Sequence, residues 1–268
     1  MEQGRSYCPS CGSETAGIYC PRCGERVRID KEELSLAFFL KDAFEEISSV
    51  DSKFLRTLRL LLTKPGFLTN EAIAGRKAFY IKPFRLYAIM VVTHFLIFSF
   101  SGSGDIFTIE RLPVFQLIPG LYQTVQHYEV KSGLTHEVFT TNLNQKIKDN
   151  LNIILYFVVF LLAFFFKLLY FNSGKYYVEH LYYLLYLLSF GMIRNIILIP
   201  LLIADLLPLA FVIIVSTQLI YTFVSLKNVY HENSIMTGLK VILGLAGFIL
   251  VMAPALLLSV AIGIIQII

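Results

Sequence analysis

Four cysteines stand within the first 23 residues, as Cys8-Pro9-Ser10-Cys11-Gly12 and Cys20-Pro21-Arg22-Cys23-Gly24, with eight residues between the inner pair. Two thiolates two residues apart can take adjacent corners of a tetrahedron. The proline pre-sets the turn, and the glycine that follows permits a left-handed backbone that aims amides at sulfur. Two such knuckles supply four ligands, so Cys8, Cys11, Cys20 and Cys23 read as a zinc ribbon holding one structural Zn2+ ion. A closed four-thiolate shell leaves no open coordination position and argues against a catalytic zinc. A segment of about 25 residues buries too little apolar surface to fold alone, so the metal must supply the folding energy.

The even count also allows two disulfides in an oxidising compartment, and a redox or iron site is a lesser alternative. Residues 1–24 are polar and lack the apolar core of a signal peptide, so the head is expected on the reducing, cytoplasmic side. Nucleic acid is not an expected partner. Residues 1–30 hold four basic residues (Arg5, Arg22, Arg26, Arg28) against four acidic ones (Glu2, Glu14, Glu25, Asp30), which leaves no positive footprint.

What must carry this head is apolar. Of 268 residues 56% are hydrophobic and only 16% charged, with 23 Phe, 15 Tyr and a formal charge of +4. The mean hydropathy is +0.66. These values exclude a disordered chain and suit an all-α membrane protein better than a water-facing globule. Residues 1–87 contain 14 of the 23 Lys+Arg and 11 of the 19 Asp+Glu, so a polar head precedes the apolar body. The expected organisation is a zinc ribbon at 1–30, amphipathic helices at 31–82 and a transmembrane bundle at 83–268.

In the connector, Asp30 and Glu32-Glu33 open one amphipathic helix through Leu34, Phe38, Phe44 and Ile47. Asp51 can cap a second helix. Phe54, Leu55, Leu58, Leu61 and Leu62 form one face of it, while Lys53, Arg56 and Arg59 form a basic edge. Pro65-Gly66 stops it. A shorter piece runs from Thr69 or Asn70 through Ile73. The apolar face either lies in the lipid interface or packs on the inner end of the chain's own bundle; both bury the same side chains.

About five spans are expected, at about 84–104, 151–171, 178–200, 206–226 and 239–262, with an outer loop at 102–150. A four-span reading treats part of 178–226 as re-entrant. The last span is the clearest, because residues 241–268 carry no charge. Arg76, Lys77, Lys82 and Arg85 flank the start of the first span, whereas Arg111 alone lies in 102–121, which predicts a cytoplasmic N-terminus. Trp is absent, so Tyr170, Tyr176, Tyr177, Tyr182 and Tyr183 are expected to form the interfacial belt at the inner ends of spans two and three. Pro254 is expected to kink the fifth span.

The Cys-Pro-x-Cys-Gly pair, Asp51-Ser-Lys-Phe-Leu-Arg-Thr-Leu, Lys64-Pro65-Gly66, Gly75-Arg76-Lys77, Ile81-Lys82-Pro83-Phe84-Arg85 and Tyr176-Tyr177-Val178-Glu179-His180-Leu181 form an ordered set. In it the chain resembles a bacterial zinc-ribbon-containing, multi-span membrane protein family classed as a domain of unknown function. The resemblance spans 8 to about 98 and about 167 to 190. It implies the topology and a cytoplasmic zinc module, but no activity. It also implies a His-x-His after the Glu-His-Leu element, where this chain has Tyr186 and Leu188.

Ionisable and strongly polar groups inside a span are functional candidates by default. His94 in span one and Gln218 in span four lie near mid-bilayer, and Glu179-His180 open span three. A transporter or channel could use these four as an intramembrane polar site; interhelical hydrogen bonding is the plainer reading. Lys167 can pair with Glu179 at the inner interface, although a snorkelling Lys167 beside an interfacial carboxylate is the plainer reading, and Arg194 is expected near Asp205. His127 and His136 in the outer segment make a weak metal signal. His136-Glu137 and His231-Glu232 do not complete a His-Glu-x-x-His motif, since Thr140 and Ile235 occupy the closing positions. No nucleophile elbow, dinucleotide fingerprint or phosphate loop is present, so the chain is not expected to be an enzyme.

The expected function is that of a multi-pass protein of the bacterial inner membrane. Its cytoplasmic zinc ribbon would serve as an anchored protein-interaction or assembly module, with the bilayer and a cytoplasmic protein as partners. The alternative is the small transporter or channel.

Overall fold

Loss of β-branched runs and turn residues over long apolar stretches dictates helices, and the chain is almost wholly helical beyond its head. The computed structural model describes residues 6–15, 19–24, 53–100, 120–204 and 206–267. The helix expected over Asp30 to Ile47, the Asp51 cap, Asp205 and residues 102–119 lie outside the described residues.

The head is a two-stranded antiparallel sheet, β1 (Ser6–Tyr7) and β2 (Glu14–Thr15), with Ser6 opposite Thr15. Helices α1 (Phe54–Thr63) and α2 (Phe67–Ile73) follow, separated at Pro65-Gly66 as the turn residues dictate. Next come α3 (Pro83–Phe100), α4 (Leu121–Ser132), the 34-residue α5 (His136–Leu169) and a 3-10 turn at Phe171–Ser173. The chain ends with α6 (Tyr177–Ile197), the short α7 (Ile199–Ile203), α8 (Leu207–Tyr230) and α9 (Ser234–Ile265).

Among the described residues, two helices are long and apolar enough to cross a membrane, α8 and α9; α5 makes a third if its halves, bent by 54° between Leu151 and Tyr156, count as one span. Only 22% and 28% of the apolar windows of α8 and α9 are buried in the protein. Phe211, Val212 and Ile220 on α8 and Ile242, Ile249 and Leu250 on α9 therefore face outward. An apolar skin of that extent needs lipid, not water, against it.

The five-span expectation is corrected accordingly. Spans at 206–226 and 239–262 correspond to α8 and α9. The span at 151–171 is the second half of the bent α5. The span at 84–104 has as its described apolar part Pro83–Ile97, which falls short of 18 residues; at 1.5 Å per residue this does not cover a core about 30 Å thick. The span at 178–200 is α6, which carries His180, four tyrosines, Arg194 and Asn195 and is the interior of the bundle. Leu181, Leu185 and His180 are fully buried in it. Its polar rings lower its hydropathy, and protein rather than lipid surrounds them.

The tyrosine belt is corrected for the same reason. Tyr170, Tyr182 and Tyr183 are buried. The hydroxyls of two of them have internal partners: Tyr183 meets Ser225 at 3.0 Å, and Lys77 donates to Tyr182 at 3.0 Å. Tyr176 alone of the five is strongly exposed.

The outer loop at 102–150 also needs correcting, since residues 136–150 are the first four turns of α5. Phe139, Leu143 and Ile147 recur every fourth residue and are buried with Val125 of α4, Val260 and Ile264. That period is a helical signal present in the sequence. α5 and α9 run antiparallel along their length. Gly247 faces the Phe165 ring, Asn150 donates to the Ser259 carbonyl, and Gly263 faces Leu143. Small residues let the two backbones approach, as membrane helix pairs require. Pro254 lies inside α9.

Of the two placements open to the connector's apolar face, α1 and α2 take the bundle. Leu61, Leu68 and Ala72 join the main core, while Leu55 and Leu62, expected on the same face, are exposed. Thr57 takes a core position instead and accepts a hydrogen bond from the Ile81 amide at 3.0 Å. Tyr221 donates to the Leu61 carbonyl at 2.8 Å, and Asn228 donates to the Pro65 carbonyl at 2.9 Å. A Tyr221→Phe substitution strands a buried carbonyl. It is expected to lower stability by about 1–2 kcal/mol, read as a lower midpoint of thermal unfolding in detergent; an unchanged midpoint would mean that α1 is held elsewhere.

Candidate functional site

The two cysteine knuckles fold alike because the same sequence recurs. Gly12 donates to the Cys8 carbonyl and Gly24 to the Cys20 carbonyl, both at 2.9 Å. Both glycines have left-handed backbones, φ 71° and 74°. The β1–β2 hairpin then brings the knuckles together. The Sγ atoms of Cys8 and Cys23 are 3.5 Å apart and those of Cys11 and Cys20 3.6 Å apart. All four lie within 4.8 Å of one another, and none of the four is in a disulfide. A tetrahedron with metal–sulfur bonds of about 2.3 Å has sulfur–sulfur edges of about 3.8 Å. The donor set and the spacing therefore fit one tetrahedral metal ion, and among the described residues this is the group that could hold one.

Cys8 and Cys20 are buried, while Cys11 and Cys23 are half-buried. The Ser13 hydroxyl lies 3.0 Å from both Cys11 Sγ and Cys20 Sγ. Its hydrogen bond lowers the Cys20 thiol to about 6 and lowers Cys11 as well. A thiol held low is already a thiolate near neutral pH, the form that binds metal.

The four intramembrane candidates do not form one site. Gln218 of α8 accepts from Arg194 at 2.7 Å and donates to Thr222 at 3.3 Å. Arg194 also donates to the Ile214 carbonyl and to Asn195, so its structural partners are on α8 and its own helix. His94 is half-buried on α3, which packs on α6 and α5. Glu179 accepts from the Tyr176 amide as part of a capping box at the start of α6. Its ion-pair partner is Lys175 at 4.0 Å, while the Lys167 ammonium donates to the Lys175 carbonyl at 2.6 Å, so the Lys167–Glu179 pair is not formed.

His180 is fully buried, and its Nδ1 lies 2.7 Å from the Tyr230 hydroxyl. Tyr230 stacks on Tyr170 with centroids 3.7 Å apart, and the Lys240 ammonium sits 3.8 Å from the Tyr170 ring centre. Lys240 is also ion-paired to Glu232. Tyr170, Tyr230, Lys240 and Glu232, though not His180, wall an open cleft of about 570 Å³ between the α5–α6 turn and the α8–α9 turn. Sequence reasoning missed it because Tyr170, Tyr230 and Lys240 are far apart in the chain. The available signal was the paired polar turns, Asn172 to Lys175 and His231 to Asn233, between apolar helices.

In the outer segment, His136 Nδ1 lies 3.0 Å from the Glu129 carboxylate, within hydrogen-bond distance, and among the described residues neither belongs to a metal-holding group.

Residues 51–95 match the model of a family described as Protein of unknown function (DUF3667). The match covers a minority of the chain, namely α1, α2 and most of α3. Neither the curated proteins nor the solved structures include a match to the chain. The matched segment is the part that docks on α6 and α8, and it contains Lys64-Pro65-Gly66, Gly75-Arg76-Lys77 and Ile81 to Arg85. The cysteine knuckles and Glu179-His180 lie outside it. Tyr186, one of the positions where the resemblance implied a histidine, donates to the Ile81 carbonyl at 3.1 Å and ties the matched segment to α6.

Proposed function

We propose that this protein is an integral protein of the bacterial inner membrane whose N-terminal head binds one structural zinc ion in the cytoplasm and acts as an anchored interaction or assembly module. The observation that carries the reading is the approach of two thiols from each knuckle to tetrahedral spacing, with no position left for water or substrate. Zinc suits four thiolates in a tetrahedron better than hard cations do, and reducing surroundings keep the thiols free. A closed shell does no chemistry on a substrate, so the proposed role is non-enzymatic: the metal holds a small surface in shape for a cytoplasmic protein partner.

The transport reading draws less support. Gln218 is occupied by Arg194 and Thr222, and Glu179 caps its own helix, so these two do not converge on one polar path.

Because all four cysteines of the chain are in the head, thiol labelling reports on the head alone. A membrane-impermeant maleimide applied to intact cells is expected to leave the protein unlabelled and to label it after permeabilisation and metal chelation. Labelling of intact cells would place the head outside and remove both the orientation and the zinc assignment. The interaction role itself is tested by crosslinking from the head in native membranes: a partner captured by the wild type and lost with Cys11→Ser supports it, and an identical capture pattern for both overturns it.

A further inference from the structure

The cleft at the α5–α6 and α8–α9 turns has the features of a ligand site. Lys175 and Lys240 line it together with Glu232, so its ionised lining side chains sum to one positive charge with His231 neutral. Each ammonium group lies near one ring of the stacked pair of phenols, Lys240 at 3.8 Å from the Tyr170 ring centre and Lys175 at 5.8 Å from that of Tyr230. Each ammonium has three donors. Lys240 gives one to Glu232 and Lys175 lies 4.0 Å from Glu179, which leaves donors on both for a further anion. Glu232 Oε2 is buried with no hydrogen-bond partner, an acceptor that needs a donor.

Around this polar interior the rim is apolar. Leu168 and Phe171, which line the cleft, are 56% and 72% exposed, and Ile235 and Leu239 on the first turns of α9 are 86% and 50% exposed. The apolar skin of the spanning helices thus runs up to the edge of a positively charged, hydrogen-bonding cavity. An amphiphile satisfies both surfaces together, whereas a free anion leaves the rim uncovered.

We propose that this cleft binds the headgroup of an anionic phospholipid, its singly charged phosphodiester held by Lys175 and Lys240 and a headgroup hydroxyl donating to Glu232, with the acyl chains lying along Leu168 and Phe171. The assignment rests on the chain being membrane-embedded but is independent of the zinc reading.

The test uses the full chain in detergent, titrated with short-chain phosphatidylglycerol, short-chain phosphatidylcholine or inorganic phosphate, with native mass spectrometry and thermal unfolding as readouts. One phosphatidylglycerol per chain is expected to bind and raise the unfolding midpoint, with phosphatidylcholine and phosphate doing neither. Lys175→Gln is expected to weaken binding about tenfold through loss of a charge-assisted hydrogen bond. Asn172→Asp, on the exposed lip of the cleft, adds a negative charge without removing a packed side chain and is expected to weaken it likewise, so a folding defect in the lysine variant does not decide the outcome. Wild-type affinity in both variants, or equal binding of phosphatidylcholine, overturns the proposal. Equal stabilisation by inorganic phosphate overturns the lipid assignment in favour of a soluble phosphate.

Discussion

Cys11→Ser is expected to release the metal and unfold residues 6–24, while the helical bundle unfolds at its wild-type midpoint. Among its described residues the head has a two-residue strand pair, and its buried side chains are the thiols of Cys8 and Cys20, at 2% exposure, and Thr15. Apparent zinc-binding energies in small four-ligand modules are about 10–16 kcal/mol and are folding energies, because the ligands are not gathered in the unfolded chain. No other interaction in the head approaches that size. Exposed ion pairs and hydrogen bonds such as Tyr7 to Glu14 contribute about 1 kcal/mol or less. Metal analysis of protein purified without chelator should give one zinc per wild-type chain and much less for the variant, and limited proteolysis should cut the variant's head first. A variant that kept a full equivalent of zinc with a protected head would show that the four sulfurs do not act as one shell.

Gly66→Ala is expected to detach α1 and α2 from the bundle, at a cost of roughly 2–5 kcal/mol. Gly66 has φ 83°, and a Cβ there would lie 2.9 Å from the Ser225 carbonyl oxygen and 3.1 Å from Val229 Cγ2. A left-handed non-glycine residue costs about 1–2 kcal/mol. Forcing a methyl against a backbone atom of α8 adds overpacking of about 1–3 kcal/mol. Gly120 separates the two contributions, since it has φ 84° and nothing within 4 Å of its added Cβ. Gly120→Ala should show the backbone cost alone. Thermal unfolding in detergent and protease cutting near Lys64 measure both. Equal effects of the two substitutions would mean that the close approach of Gly66 to α8 contributes nothing.

The described part of the matched segment, residues 53–95, builds a cap with four polar ties to the later bundle: Leu61 to Tyr221, Pro65 to Asn228, Asn70 to the Asn228 carbonyl, and Ile81 to Tyr186. Such a cap needs α6 and α8 as its platform. The sequence that resembles the family and the sequence that receives it are therefore one folding problem.

How much was legible in the chain follows from the range of each interaction. The thiol head was legible because its ligands, turns and glycines all lie within 17 residues of one another, and tetrahedral metal chemistry permits few other arrangements of Cys8, Cys11, Cys20 and Cys23. The helical class, the break at Pro65-Gly66 and the outward-facing α8 and α9 were legible because proline, glycine and uninterrupted apolar runs act locally. Three features needed the tertiary structure. Hydropathy does not say whether a tyrosine-rich helix faces lipid or protein, so α6 read as a span when it is the core. The bend in α5 joined a polar amphipathic stretch to an apolar one, so half of a helix read as a loop. The cleft between the α5–α6 and α8–α9 turns depends on Tyr170, Tyr230 and Lys240 meeting from the ends of α5, α8 and α9, and no spacing along the chain encodes that meeting. Local chemistry is written in consecutive residues; which faces become interior is set only when helices choose their neighbours, because burial is a property of the pair.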